Sequence, residues 1–217
     1  RRDLMNIAPS AFPLVQFFYR AHRHRSMIGA LAARDLQSRY IGTLGGFLWA
    51  VAHPLAIITV FYFVFAVGFR ARGPNDVPFI LWFVGGLMPW FMFNETLTAI
   101  TNSITANAHL VKKTIFPTEI LPLVSIASSL IPHLIFMLLF LGLVVFFDVP
   151  FLTERILVVY FLLCNIALLL GLGWLLAALQ VFYRDIGQAL AILLNIWFWS
   201  TPIVWPQSMI PEEYHGF

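Results

Sequence analysis

Few side chains in this chain of 217 residues can do acid–base chemistry: ten carboxylates, six histidines and one thiol, Cys164. Glu95 holds the costliest position. It stands in Phe93-Asn94-Glu95-Thr96, within an apolar run, and is followed by Thr98, Thr101, Asn102, Ser103 and Thr105. Spacings of three and four put Glu95, Thr98, Asn102 and Thr105 on one helical face. A carboxylate on such a face is either a buried, hydrogen-bonded group or the border of a wet path, as a channel or gate requires. His133, beside Pro132 and Ser128-Ser129, has the same two readings, the structural one first. A proton relay needs a chain of such groups, and two do not make one.

Other chemistries lack their residues. No G-x-x-x-x-G-K-[ST] run is present to cradle a nucleotide phosphate, and no H-E-x-x-H to hold zinc. His22 and His24 flank Arg23, whose charge opposes a metal ion. Gly171-Leu172-Gly173 lies in an apolar run, without the strand-to-helix setting of a dinucleotide loop, and reads as small-residue packing. Cys164 in the same run reads as a small packing residue. No catalytic constellation emerges, so the chain reads as a non-enzyme.

The elements that hold these residues follow from composition. Hydrophobic residues make up 60% and charged ones 11%, against about 45–50% and ~25% in soluble domains. Disorder, collagen and disulfide scaffolds are excluded by the same figures. The expected fold is an all-α membrane protein, a polytopic helical bundle. Five spans are read at about 44–69, 79–100, 120–147, 156–180 and 189–205, each able to cross a ~30 Å hydrocarbon core. The fifth is short enough to be re-entrant. Pro122 and Pro132 are expected to kink or tilt the third.

With the N-terminus inside, segments 1–43, 101–119 and 181–188 hold ten of the thirteen Lys and Arg, leaving Arg70, Arg72 and Arg155 outside. That bias places the N-terminus in the cytoplasm, and it explains the basic balance without invoking nucleic acid. Residues 1–43 form the N-terminal segment. Their apolar stretch, 11–19, is short and runs into Arg-His-Arg-His-Arg rather than a cleavage site, so it is not a signal peptide. One amphipathic helix at the membrane surface is expected, with Phe12, Phe17, Phe18 and Leu31 among its apolar residues and Arg20, Arg23, Arg25, Arg34 and Arg39 facing headgroups or a partner. The inside loop Asn107–Glu119 combines Lys112-Lys113 with Ile115-Phe116, stopped by Pro117. A plain connector needs no such apolar pair, so it reads as a short element docking into a partner's groove. Aromatic residues are 16% of the chain. Most face lipid; a minority are candidates to line a pore, where ring faces suit the C–H faces of sugars.

Ordered landmarks then carry a resemblance. Arg34-Asp35-Leu36-Gln37-Ser38-Arg39-Tyr40, Gly42–Trp49 and Pro54 resemble the start of membrane subunits of type-2 ABC exporters for polysaccharides. So do Gly86-Leu87-Met88-Pro89-Trp90 with Glu95, Asn107–Pro117 with Glu119-Ile120-Leu121-Pro122, Phe182-Tyr183-Arg184-Asp185-Ile186, and Thr201-Pro202-Ile203-Val204 with Ile210-Pro211. The likeness covers about residues 30–215. The family includes O-antigen, capsule and teichoic-acid export permeases.

The resemblance implies a subunit of the bacterial cytoplasmic (inner) membrane that pairs with a second copy and with two cytoplasmic ABC ATPase subunits. ATP and Mg would be bound by that partner, with no cofactor in this chain. A lipid-linked glycan would pass at the interface between the two copies. The resemblance further implies an interface helix up to Tyr40, a coupling helix over His109–Phe116, external gate helices beginning in 206–217, and a sixth span beyond residue 217. Residues 206–217 are therefore expected to open a region that continues past the chain given. Coupling candidates are His109, Leu110, Lys112, Lys113, Ile115, Phe116, Arg34, Asp35, Arg39, Arg184 and Asp185. Channel or gating candidates are Glu95, Thr98, Asn102, Tyr62, Trp82, Trp90, Phe91 and Pro202.

Rival readings are weighed on residues. A type-2 ABC exporter of lipid or drug shares the architecture. A membrane-embedded glycan-processing enzyme wants a carboxylate-rich loop, and the loops offer little beyond Asp76, Asp148 and Glu154. A secondary transporter wants inverted repeats, and no internal repeat is evident.

Overall fold

A computed structural model describes residues 13–40, 44–46, 48–70, 73, 77–113, 116–149, 157–203 and 205. These residues form helices and short turns, with no strand among them.

The N-terminal segment holds two helices, α1 (Pro13–Arg23) and α2 (Arg25–Tyr40), where one was expected. The break at His24 is slight, since His24 N–H still donates to the Arg20 carbonyl at 3.0 Å and Ile28 N–H to that of His24 at 2.9 Å. Proline suits the start of α1, where its missing N–H has no helical partner to lose. α3 (Leu48–Tyr62) continues into a π-helical turn, Phe63–Gly68, closed by Phe69 N–H on the Val64 carbonyl. Then follow α4 (Phe79–Ala106), α5 (Ala108–Lys113), a 3-10 turn at Thr118–Ile120, α6 (Leu121–Phe146), α7 (Leu157–Phe182) and α8 (Ile186–Ser200).

α4 is the axis of the bundle. α3, α6, α7 and α8 all pack on it, and α2 lies along α6. One cluster joins Met92, Phe93, Leu97 and Ile100 of α4 to Ile126, Leu169, Ala177, Leu190 and Leu194. A second joins Phe79, Phe83, Val84, Leu87 and Met88 to Ile58 and Phe136. α7 reaches α4 closely because Gly173 has no side chain: a Cβ there would lie 2.7 Å from Ile100 Cγ2. Small residues permit this kind of backbone approach between membrane helices. Gly171, its expected partner in packing, has open space around it.

Three stretches are long and apolar enough to cross a membrane among the described residues: Leu48–Gly68, Thr118–Phe146 and Leu157–Phe182. α4 has 28 residues, but Asn94, Glu95 and Thr96 dilute its apolar run. A helix wrapped by others need not be apolar on every face. α4 also runs six residues past the end read from sequence, at Ile100. Its polar turns satisfy themselves: Thr101 Oγ1 donates to the Leu97 carbonyl, Asn102 Nδ2 to that of Thr98 and Thr105 Oγ1 to that of Asn102. α8 has 15 residues, which is about 22 Å of helix.

Two smaller expectations change. Pro122 sits in the first turn of α6, where a proline does not kink a helix. Pro132 lies inside α6, which stays helical through it. Cys164 is exposed on α7 rather than packed.

Candidate functional site

One end of the bundle gathers the C-terminal ends of α4 and α7 with the N-terminal ends of α6 and α8. Three polar locks hold it. First, Gln180, 8% exposed, accepts the Gly187 N–H on Oε1 at 2.8 Å and donates through Nε2 to the Arg184 carbonyl and Asn102 Oδ1. This pins the α7–α8 turn to α4. Second, Ser128 Oγ donates to Asp35 Oδ2 at 2.7 Å and accepts from Arg39 Nη2 at 3.2 Å, while Arg39 pairs with Asp35 at 2.8 Å. α2 is thereby fastened to α6. Third, Arg20 meets the Glu119 carboxylate at 3.2 Å, Trp174 Nε1 donates to the Glu119 carbonyl, and the Phe17 ring sits edge-on to Trp174 at 4.7 Å. α1 is thereby fastened to the start of α6 and to α7.

α5 projects from this end. Asn107 makes the break from α4: its Nδ2 donates to the Ser103 carbonyl, and its own carbonyl takes the N–H groups of Leu110 and Val111. His109 and Lys112 are exposed, and Leu110 and Phe116 half-buried. Lys113 ends α5, and Ile115 lies outside the described residues. Arg184 and Asp185 are exposed at the α7–α8 turn, and Arg34 on α2. Asp35 and Arg39 differ from these, because their side chains engage Ser128.

The channel candidates do not converge within one chain. Tyr62 is exposed at the end of α3 and Pro202 just after α8. Trp82 packs on Phe79, and Trp90 on Phe93, Trp197 and Phe198. Thr98 accepts on its carbonyl from Asn102, which joins the Gln180 lock. Phe91 and Glu95 do meet. They line a cavity of about 250 Å³ between α3, α4 and α6. His53 and Ser129, which sequence reasoning did not single out, line it too, as does His133. Glu95 makes no hydrogen bond or ion pair with a described residue. The signal for His53 was a histidine next to Pro54 in an apolar run. The signal for Gln180 was a lone amide at the end of another.

Known proteins resemble this chain in sequence. The profile of the family described as ABC-2 type transporter matches residues 27–215. The chain is 29% identical over 192 residues to the O-antigen export system permease protein RfbA of Klebsiella pneumoniae, covering 87% of this chain and 72% of that protein. It is 29% identical over 200 residues to the RfbA of Myxococcus xanthus, covering 92% and 76%. With the polysialic acid transport protein KpsM of Escherichia coli it shares 23% over 198 residues, covering 88% and 74%. A match that covers most of the chain, from within α2 through α8, has one consequence: the chain belongs to the ABC-2 type transporter family.

Proposed function

We propose that this chain is the channel-forming permease subunit of an ATP-driven exporter that moves a lipid-linked cell-surface polysaccharide out across the bacterial cytoplasmic membrane. The observation that carries the reading is the family match together with relatives named for O-antigen export and polysialic acid transport. Two copies of the chain work with two copies of a separate ATPase, which binds ATP and Mg. α4 and α8 cross the membrane as well as the three longer apolar stretches. The N-terminus is cytoplasmic, in keeping with the clustering of Lys and Arg in 1–43, 101–119 and 181–188.

The geometry gives such a subunit a lever. α5, with Phe116 just beyond it, is the partner's docking element and offers Lys112 and Lys113. It is joined through Asn107 to α4, the helix on which α3, α6, α7 and α8 pack. The locks at Gln180, Ser128 and Glu119 bind α1, α2, α6, α7 and α8 to the same end. A push on α5 when the ATPase closes therefore moves a tied group of helices rather than a loose loop. Packed interfaces of this kind switch between arrangements rather than deforming continuously.

The test replaces Phe116 and Lys112 by Ala and measures permease-stimulated ATP hydrolysis and surface polysaccharide. Stimulation and export are expected to fall while the chain still reaches the membrane. Unchanged values for both would reject α5 as the coupling element. Deleting the chain should leave polysaccharide inside the cell; normal surface polysaccharide would reject the function.

A further inference from the structure

The cavity between α3, α4 and α6 is unusually rich in hydrogen-bond acceptors for a site within apolar helices. Glu95 contributes a carboxylate, an acceptor-only group when ionised. Ser129 is 5% exposed, lines the cavity, and its hydroxyl has no partner among the described residues. His53 and His133 each offer a ring nitrogen. Pro54 and Pro132 also border the space. Each proline lacks the N–H that would bond the carbonyl four residues back. The carbonyls so released are those of Ala50, itself on the cavity wall, and Ser128. Trp49, Phe91 and Phe136 supply ring surface.

Among the described residues, neither lysine nor arginine lines the wall. The Arg39 guanidinium is already held by Asp35 and Ser128. A phosphate or pyrophosphate would thus face Glu95 with no lysine or arginine on the wall to balance it, and anions bind where cations or N–H groups converge. The matching ligand is a donor of several hydroxyl groups with an apolar face. The volume, about 250 Å³, falls below the ~300–1,000 Å³ of drug-sized sites. It takes one ring rather than a run of rings.

We infer that this cavity is a binding subsite for a single uncharged sugar residue, with Glu95, Ser129 and the two histidines taking its hydroxyl groups and the aromatic rings its C–H face. The inference rests on the reading of the chain as a polysaccharide permease. It adds that the permease engages one sugar of its cargo inside a single copy, apart from the carrier's phosphates.

The test uses the complete permease–ATPase complex in lipid nanodiscs. Ala50→Cys places a thiol on the cavity wall, and Met88→Cys is a second reporter. The native Cys164, exposed on α7, is the internal control. Labelling by methyl methanethiosulfonate is followed by mass spectrometry with glucose, galactose or mannose, with pyrophosphate, or with ethanolamine. A hexose at about twice its Kd should slow cavity labelling about threefold and leave Cys164 unchanged. Glu95→Gln should abolish that protection. Protection by pyrophosphate or by ethanolamine in place of every hexose, or by no probe at either reporter, would overturn the inference. Polysaccharide export by the unmodified complex is measured alongside, so loss of the permease reading itself would show as failed export.

Discussion

The Ser128 hydroxyl lies 2.7 Å from the Asp35 carboxylate, joining residues 93 positions apart in sequence. Arg39 completes the group by meeting both. This contact makes α2 part of the bundle rather than a strap lying against it. Ser128→Ala removes a hydrogen bond to a charged group and is expected to cost about 1.5–3 kcal/mol. Asp35→Asn should cost a similar amount, and the double variant less than the sum, because the residues share one network. Thermal unfolding of the four proteins in nanodiscs measures this.

Gly173 sets how closely α7 approaches α4. Gly173→Ala would put a methyl group 2.7 Å from the fully buried Ile100, an overpacking expected to cost about 1–3 kcal/mol. Ile100→Val in the same chain should recover part of that loss. Gly171→Ala meets nothing within 4 Å and should be neutral or slightly stabilising, since alanine favours helix. Melting temperatures of the three variants and the parent decide the matter.

Gln180 satisfies three groups at once, so Gln180→Ala strands the Gly187 N–H and Asn102 Oδ1. Leaving buried polar groups unpaired costs about 1–3 kcal/mol. The effect should be local. Hydrogen exchange at the 183–188 amides should speed up, while that of α6 stays as it was. Uniform acceleration across the bundle would contradict the lock.

The Arg20–Glu119 pair is the weak member of the three. Its side chains are 56% and 40% exposed, and exposed ion pairs contribute about 0–1 kcal/mol. Arg20→Ala should therefore hardly change the melting temperature. Its effect should appear in coupling instead, as lowered permease-stimulated ATP hydrolysis, with restoration by Arg20→Glu combined with Glu119→Arg.

Much of the architecture was readable along the chain. Apolar runs located the helices, since burial in lipid or core selects the same residues over every turn. Pro78, Pro117 and the Asp185 region marked ends near where α4, α6 and α8 begin. The polar stretch after Glu95 was visible as a face, but its division was not. Glu95 opens on a cavity, whereas Asn102, two turns on, is used by Gln180. Spacing gives a direction around one helix and says nothing about which neighbour lies there.

Local order and solvent preference are properties of short segments, so composition and periodicity alone established a helical membrane protein with its charges clustered in three segments. Which side chains meet is a property of distant segments brought together. His53, Ser129 and His133 border one cavity with Glu95 only because α3 and α6 close on the same side of α4. Asp35 faces Ser128 only because α2 lies along α6. Those meetings depend on helix packing, which no single segment encodes.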